Sequence, residues 1–370
     1  MEFRPDWEQV RERYLAWWAR ENHERPLVLL SAPRERTYRE AGASSAAERR
    51  ASFSAADWRD WWWDIERVMR DTEHDLKNRR FFGEALPLFN PNLGPDYFAA
   101  CYGTELSFGA DTSWAEPWLT AEDIAGGWQP RLDPENPYRR RMRELTAAGA
   151  AAGEGRWLTG ITDLHPGLDA LVSMRGAEGA CLDLVDEGGR VEELVLGFFA
   201  GMKEIYGELA AITDRYQEGT VNWMQIWHPG HWYVTSCDAL ALISVRDARR
   251  FVRPELEAEL DWLDASIFHL DGPDALRHLD WLLEERRLAG IQWVYGAGQP
   301  GARHWLEVLQ RIQAAGKNIQ IEVRYEDLEP LLGALRPEGL MLCCQAANEL
   351  EAVRIMERVE ELSCRGGFRR

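Results

Sequence analysis

The sequence predicts an α/β chain folded as a (β/α)8 TIM barrel, one domain over residues 1–370 with an insertion after the second strand. Three observations carry that expectation. Short apolar, β-rich runs recur along the chain, eight in all. Helical patterns separate the later runs, and strands alternating with helices build parallel sheets. Polar residues gather where the runs end, which is where barrels of this kind carry their chemistry.

The elements follow in order. "MEFRPDWEQVRERYLAWW" is a mixed-charge amphipathic helix. It lacks a basic segment leading into an apolar one, so no signal peptide is expected. The runs are "PLVLLSAP" (26–33), "EALPLF" (84–89), "WLTGITD" (157–163), "GTVNWMQIW" (219–227), "ASIFHLD" (265–271), "GIQWVYG" (290–296), "NIQIEV" (318–323) and "GLMLCC" (339–344). Helical patterns cover 246–263, 273–287, 302–315, 326–335 and 348–363. "WRDWWWDIERV" (58–68) reads as an aromatic helix used in packing. The stretch 90–150 is loop-rich, holds Pro, Gly and Trp, and is expected over the barrel mouth. No internal repeat, low-complexity tract or linker interrupts the chain.

Composition bounds the partners. Lys and Arg number 43 against 62 Asp and Glu, a formal charge of -19. Such a surface repels phosphate backbones, which argues against nucleic acid. No run of about 18 apolar residues is present, so no membrane span is expected. Cys101, Cys181, Cys237, Cys343, Cys344 and Cys364 form no CxxC pair and no regular framework, the pattern of a reduced, cytoplasmic protein. Trp is unusually frequent at 18 residues, which suits an aromatic core, a flat aromatic pocket, or both.

The run ends supply the candidate site. They are Asp163 and His165; Asn222, Gln225 and His228; His269 and Asp271; Gln292 and Trp293; Glu322; and Cys343 and Cys344. A buried imidazole or carboxylate is costly unless paired or bound, so these groups are expected to border a pocket. His269 and Asp271 stand two residues apart, which puts both on one face of a strand. They suit a shared metal, or an Asp–His hydrogen bond that orients the ring for acid–base work. In "NWMQIWHPGHWYVTSCD" (222–238), Trp223, Trp227 and Trp232 with His228 and His231 suit stacking on a flat ring; a loop packed on its own tryptophans is the alternative. "GAGQPG" (296–301) reads as a tight strand-to-helix loop.

"FHLDGPDALRHLDWLLE…LAGIQWVYGAGQPG", "TSCDALALISVRDARRFVRPELEAEL" and "ITDLHPGLDALVSMRG" resemble the uroporphyrinogen decarboxylase-like superfamily, nearer its cobalamin-linked methyltransferases of the methylcobalamin:coenzyme M type. The resemblance is strongest from about residue 155 to 363. It implies a (β/α)8 barrel, a small-molecule substrate, a corrinoid as methyl carrier (free or on a partner protein) and a zinc site. The zinc signature of that branch is H-x-C at one strand end, with a further cysteine after the last strand. Here His269–Leu270–Asp271 places an aspartate where the first cysteine would be, and Cys343 or Cys344 stands at the second position. A carboxylate in place of a thiolate makes the site harder and less suited to activating a thiol. Asp238 falls on a polar position of the same pattern and is expected to face the pocket. Tetrapyrrole decarboxylation fits worse: Arg34 and Arg36 follow the first run, but the arginine motif of that branch is not recognisable in "SAPRERTYRE".

The leading expectation is methyl transfer between a corrinoid and a small molecule. His269, Asp271 and Asp163 are its catalytic candidates, and Asn222, Trp223, Gln225, His228, Asp238, Gln292 and Trp293 its substrate contacts. A metal is expected on His269, Asp271 and Cys343 or Cys344. One rival is a lyase or hydrolase of a ring-shaped, hydroxylated molecule, using Asp163, Asp271 and Glu322 as acid–base groups. A non-catalytic ligand-binding barrel is the other.

Overall fold

A computed structural model describes residues 1–35 and 58–365; Arg36 lies outside them. The strands are β1 (Leu27–Pro33), β2 (Arg79–Gly83), β3 (Leu88–Phe89), β4 (Glu105–Phe108), β5 (Ser113–Glu116), β6 (Leu158–Thr159), β7 (Thr220–Val221), β8 (Trp227–His228), β9 (Trp232–Ser236), β10 (Ala265–Asp271), β11 (Gly290–Val294), β12 (Asn318–Val323) and β13 (Leu340–Gln345). The central sheet has seven strands in the order β2-β1-β13-β12-β11-β10-β9. All its pairs are parallel except β2 on β1. A short parallel pair, β3 with β6, continues to β7 through the Ile161–Asn222 bridge. The architecture is therefore mixed α/β around a mainly parallel sheet, with helices between successive strands.

Side-chain alternation splits the core in two. Leu27, Leu29, Val234, Ile267 and Met341 face one way and pack with Val10, Tyr14 and Trp17 of the helix Trp7–Trp18. Leu86, Leu158 and Val221 join this inner cluster from the short ladder. Val28, Leu30, Phe268, Leu270, Ile291, Trp293, Ile321 and Leu342 face the other way, into the helix layer. Position parity thus decides which side of the sheet a strand residue packs on.

Two sequence expectations change. The run 219–227 is not one strand: β7 ends at Val221, the chain turns through Gln225 at φ 61°, and β8 returns antiparallel. The Tyr14 hydroxyl fastens this turn to the segment before β3, sharing its proton between the Glu84 carbonyl at 2.7 Å and the Gln225 carbonyl at 3.0 Å. The next segment, expected as loop, is β9, a buried member of the central sheet. Residues 90–150 are also more ordered than expected. They hold the β4–β5 hairpin and the helix Pro137–Gly153, which packs on the long helix Gly188–Thr213. Among the described residues, no helix is long and apolar enough to cross a membrane.

Near the start of β1, Glu84 is fully buried. Arg25 grips its carboxylate at 3.1 and 2.7 Å, Arg13 adds a contact at 2.7 Å, and the Val28 N–H donates to it at 2.7 Å. Glu84→Ala would leave a buried guanidinium and a backbone donor unmatched, a loss of about 3–5 kcal/mol. The expected result is a clear fall in the urea midpoint; an unchanged midpoint would show that the ion pair does not hold β1 in place.

Candidate active site

The site is assembled from three distant segments. Beyond β6, the strand end at 162–164 is tied by Tyr233 of β9, whose hydroxyl donates to the Thr162 carbonyl at 2.8 Å and accepts from the Leu164 N–H. The helix Gly167–Arg175 starts directly after it. Gly167 takes φ 62°, and a Cβ there would collide with the Glu255 carboxylate, so glycine is required twice over. Asp169, in the first turn of this helix, accepts the N–H groups of Asp238 and Ala239 at 2.8 and 3.0 Å. That pair of bonds anchors the turn Asp238–Ala241 at the end of β9.

His165 lies between two carboxylates, with Nε2 2.9 Å from Asp163 Oδ2 and Nδ1 3.4 Å from Asp169 Oδ2. Burial opposes a charge on this ring, but the two carboxylates outweigh it and hold the His165 pKa well above the ordinary imidazole value. Burial would likewise raise the Asp169 pKa. The bonds from His165, Ala239 and Asp238 reverse that effect and keep the carboxyl below its usual range. Asp238 keeps contact with solvent in a crowded recess; burial, with the charge of Asp169, raises its pKa.

On β10, His269 faces inward, and its Nδ1 meets Gln292 Oε1 on the neighbouring strand β11. A carbonyl oxygen only accepts, so the Nδ1–H of His269 donates to it. Trp223 meets the His269 ring edge-on at 5.4 Å. Ligand atoms of Asp238, His269 and Asp271 lie within 4.8 Å of one another, as do those of His165, Asp169 and Asp238. One imidazole and two carboxylates in that range fit a divalent cation.

The recess beside His269 has a volume of about 1180 Å³, and Trp223, Gln225, Gln292 and Glu322 help to line it. A second cavity of about 1310 Å³ lies beneath Trp58 and Trp62 and meets the first at Ser31, Arg79, Trp223 and Gln225.

The structure thus brings Asp163, Asp238, His269, Asp271 and Gln292 to one end of the sheet. Asn222 is buried behind the recess, its Oδ1 accepting the Met224 N–H at 3.1 Å. Trp293 alternates with Gln292 and packs in the outer core on Trp305, 5.1 Å between rings. It nevertheless contributes to the lining of the recess beside Gln292. His228 is a clearer correction. The turn after β7 carries it back to pair with Thr220 at the start of that strand, and its ring packs on Trp18. Trp227 and Trp232 donate their indole N–H groups to Glu218 and Thr220 carbonyls and are likewise structural. Cys343 packs with the inner cluster and Cys344 with the outer, and neither joins a ligand grouping. Burial raises both thiols, Cys344 to about 12, which disfavours the thiolate a metal needs. Asp169, Glu255 and Glu259 escaped the sequence reading. The signal for Asp169 was its placement four residues after His165 in "HPGLDALV", a charged residue in an apolar helical turn.

The chain matches no protein-family model and no curated protein. Among solved structures it is similar to a methyltransferase from Methanosarcina mazei, with a TM-score of 0.60 and 10% identity over 95% of this chain and 98% of that one. At that identity the likeness establishes a shared fold.

Glu255 and Glu259, one helical turn apart, are buried near Asp169. Burial and the Asp169 charge push Glu259 up to about 8. Between its unfolded value, roughly 4.3, and that folded value, the native state holds a proton that the unfolded chain lacks. Stability therefore falls as pH rises through this window. Glu259→Gln removes the titration and is expected to flatten the decline, by up to about 1.4 kcal/mol per pH unit. Urea midpoints at pH 5.5 and 8.5 would measure it, and parallel slopes for wild type and variant would exclude Glu259 as the titrating group.

Proposed function

We propose that this chain is a methyltransferase-like enzyme of the uroporphyrinogen decarboxylase-like superfamily, moving a methyl group between a corrinoid and a small molecule. Its wall is read as a (β/α)8 barrel; the support is that residues of β1, β6, β7, β9, β10 and β13 share the inner cluster. The observation that carries the functional reading is the meeting of Asp238, His269 and Asp271 at the strand ends beside the recess.

These three residues would hold a divalent cation such as zinc, with Gln292 orienting His269. Bound there, the cation supplies Lewis acidity that lowers the pKa of an acceptor group. The protein's own residues do the rest. Trp223 walls the recess and fixes the His269 ring. Gln292 holds the proton on Nδ1. Lacking a thiolate, the donor set favours an oxygen or nitrogen group of the substrate over a thiol.

A second reading, an acid–base lyase or hydrolase, is favoured by the raised Asp238 pKa beside His269 and Asp271. Metal analysis of the purified protein and demethylation of methylcobalamin, followed by its visible absorbance, separate the two. Methyl transfer predicts bound metal and corrinoid turnover; activity indifferent to chelators would favour the second.

His269→Ala is expected to cut turnover by about 100-fold or more while the thermal midpoint stays near wild type. A large midpoint loss with normal activity per folded molecule would make His269 structural. Asp271→Cys, which restores H-x-C, is expected to retain zinc more tightly through dialysis; weaker retention would count against a cation at this position.

A further inference from the structure

We propose that the strand-end cluster holds two cations rather than one, with Asp238 as the carboxylate between them; the inference rests on reading Asp238, His269 and Asp271 as the first cation site. The second site is His165, Asp169 and Asp238, whose ligand atoms lie within 4.8 Å of one another just as those of the first trio do. Asp238 belongs to both trios, and a carboxylate has two oxygens with about four acceptor positions.

The orientation of each histidine supports the assignment. Asp163 Oδ2 sits 2.9 Å from His165 Nε2, and Gln292 Oε1 sits against His269 Nδ1. Each ring thus has an acceptor on one nitrogen that fixes its orientation, which is how metal-binding histidines are held. A cation at the second site would displace the proton that His165 shares with Asp169. His165 Nδ1 is 3.4 Å from Asp169 Oδ2, long for a charge-assisted hydrogen bond. Two donors about 2.1 Å from a shared ion, at tetrahedral or octahedral angles, stand roughly 3.0–3.4 Å apart. The observed gap matches that spacing.

Charge points the same way. Asp163, Asp169, Asp238 and Asp271 converge here, and among the described residues none forms an ion pair with an Arg or Lys; their basic neighbours are His165 and His269. At Glu84 and Asp183, by contrast, the chain matches a buried carboxylate with arginine. Asp169 remains available although it accepts two backbone N–H groups, because those use only part of its acceptor capacity. Oxygen and imidazole donors without sulfur suit Mn²⁺ as a probe. A paired site of this kind clamps an oxygen-rich anionic group such as a carboxylate or phosphate.

The test strips the full-length protein with EDTA, dialyses it against Mn²⁺, counts bound manganese by elemental analysis and records its EPR spectrum. Wild type is expected to hold two ions per chain with an exchange-coupled signal. His165→Ala and His269→Ala should each hold one, uncoupled. Asp238→Asn should lose the coupling. Asp163→Asn, which leaves the His165 ring in place but unsettles its proton, should weaken the second ion by about 10- to 100-fold and spare the first. Circular dichroism of each metal-free variant shows whether it folds, and Asp163→Asn decides the matter if His165→Ala does not. One ion in wild type, kept by the His165 and Asp163 variants and lost by His269→Ala, would overturn the second site and leave the first standing. Two ions indifferent to the His165 and Asp163 variants would also overturn it. No bound ion in wild type would remove both sites.

Discussion

The carboxylate of Asp169 holds the site together. It is buried, yet it joins His165 to the backbone of Asp238 and Ala239, residues about 70 positions away along the chain. Without it, two backbone N–H groups at the end of β9 would lack partners, and the turn that aims Asp238 would be free to move. Its own cost of burial is offset by these bonds and by its place in the first turn of a helix, where negative charge is favoured. The neighbouring acids settle differently. Glu255 and Glu259, with burial unrelieved by such bonds, are pushed toward the neutral form. One cluster thus contains an ionised carboxylate that builds the site and neutral ones beneath it, and environment alone separates them.

A second constraint is strand parity. On β10, β11 and β13 the inward positions carry His269, Asp271, Gln292 and Cys343, while Phe268, Leu270, Trp293, Leu342 and Cys344 feed the outer core. A side chain one residue out of phase turns to the opposite face of the sheet and packs mainly there. This is why adjacent candidates parted company: Gln292 orients the central histidine, and Trp293 packs a helix.

The sequence made the later half of the fold legible because β10 to β13 are apolar runs separated by clear helical patterns. It made His269, Asp271 and Gln292 legible because polar residues ending apolar strands are costly without a use. It concealed β9, whose residues are buried on both faces and so show no alternation, and which follows the loop-like "HPGH". It concealed the turn at Gln225 for another reason: the bond that fastens it comes from Tyr14, some 200 residues earlier. His228 was misplaced by that turn alone. Asp169 was hidden by distance, since its partners are set by tertiary packing that no local pattern records. The abundant tryptophan misled in its own way. Trp17, Trp232, Trp281 and Trp293 are among the largest fully buried side chains, so much of the aromatic excess fills core.

The distribution of charge bears on what these strand ends can hold. Several arginines are committed to structural pairs: Arg13 and Arg25 on Glu84, Arg139 on Glu204 and Glu208, Arg175 on Asp183. With 62 acidic residues against 43 basic ones, carboxylates outnumber the cations that could match them. Part of that shortfall lies where Asp163, Asp169, Asp238 and Asp271 meet at the strand ends, with only His165 and His269 as basic neighbours among the described residues. Such a place draws cations and repels anions until its charge is met. Oxygen and imidazole donors at inward strand ends suit harder cations than thiolates do, and a few side chains there can change that preference while the helices and the sheet stay as they are.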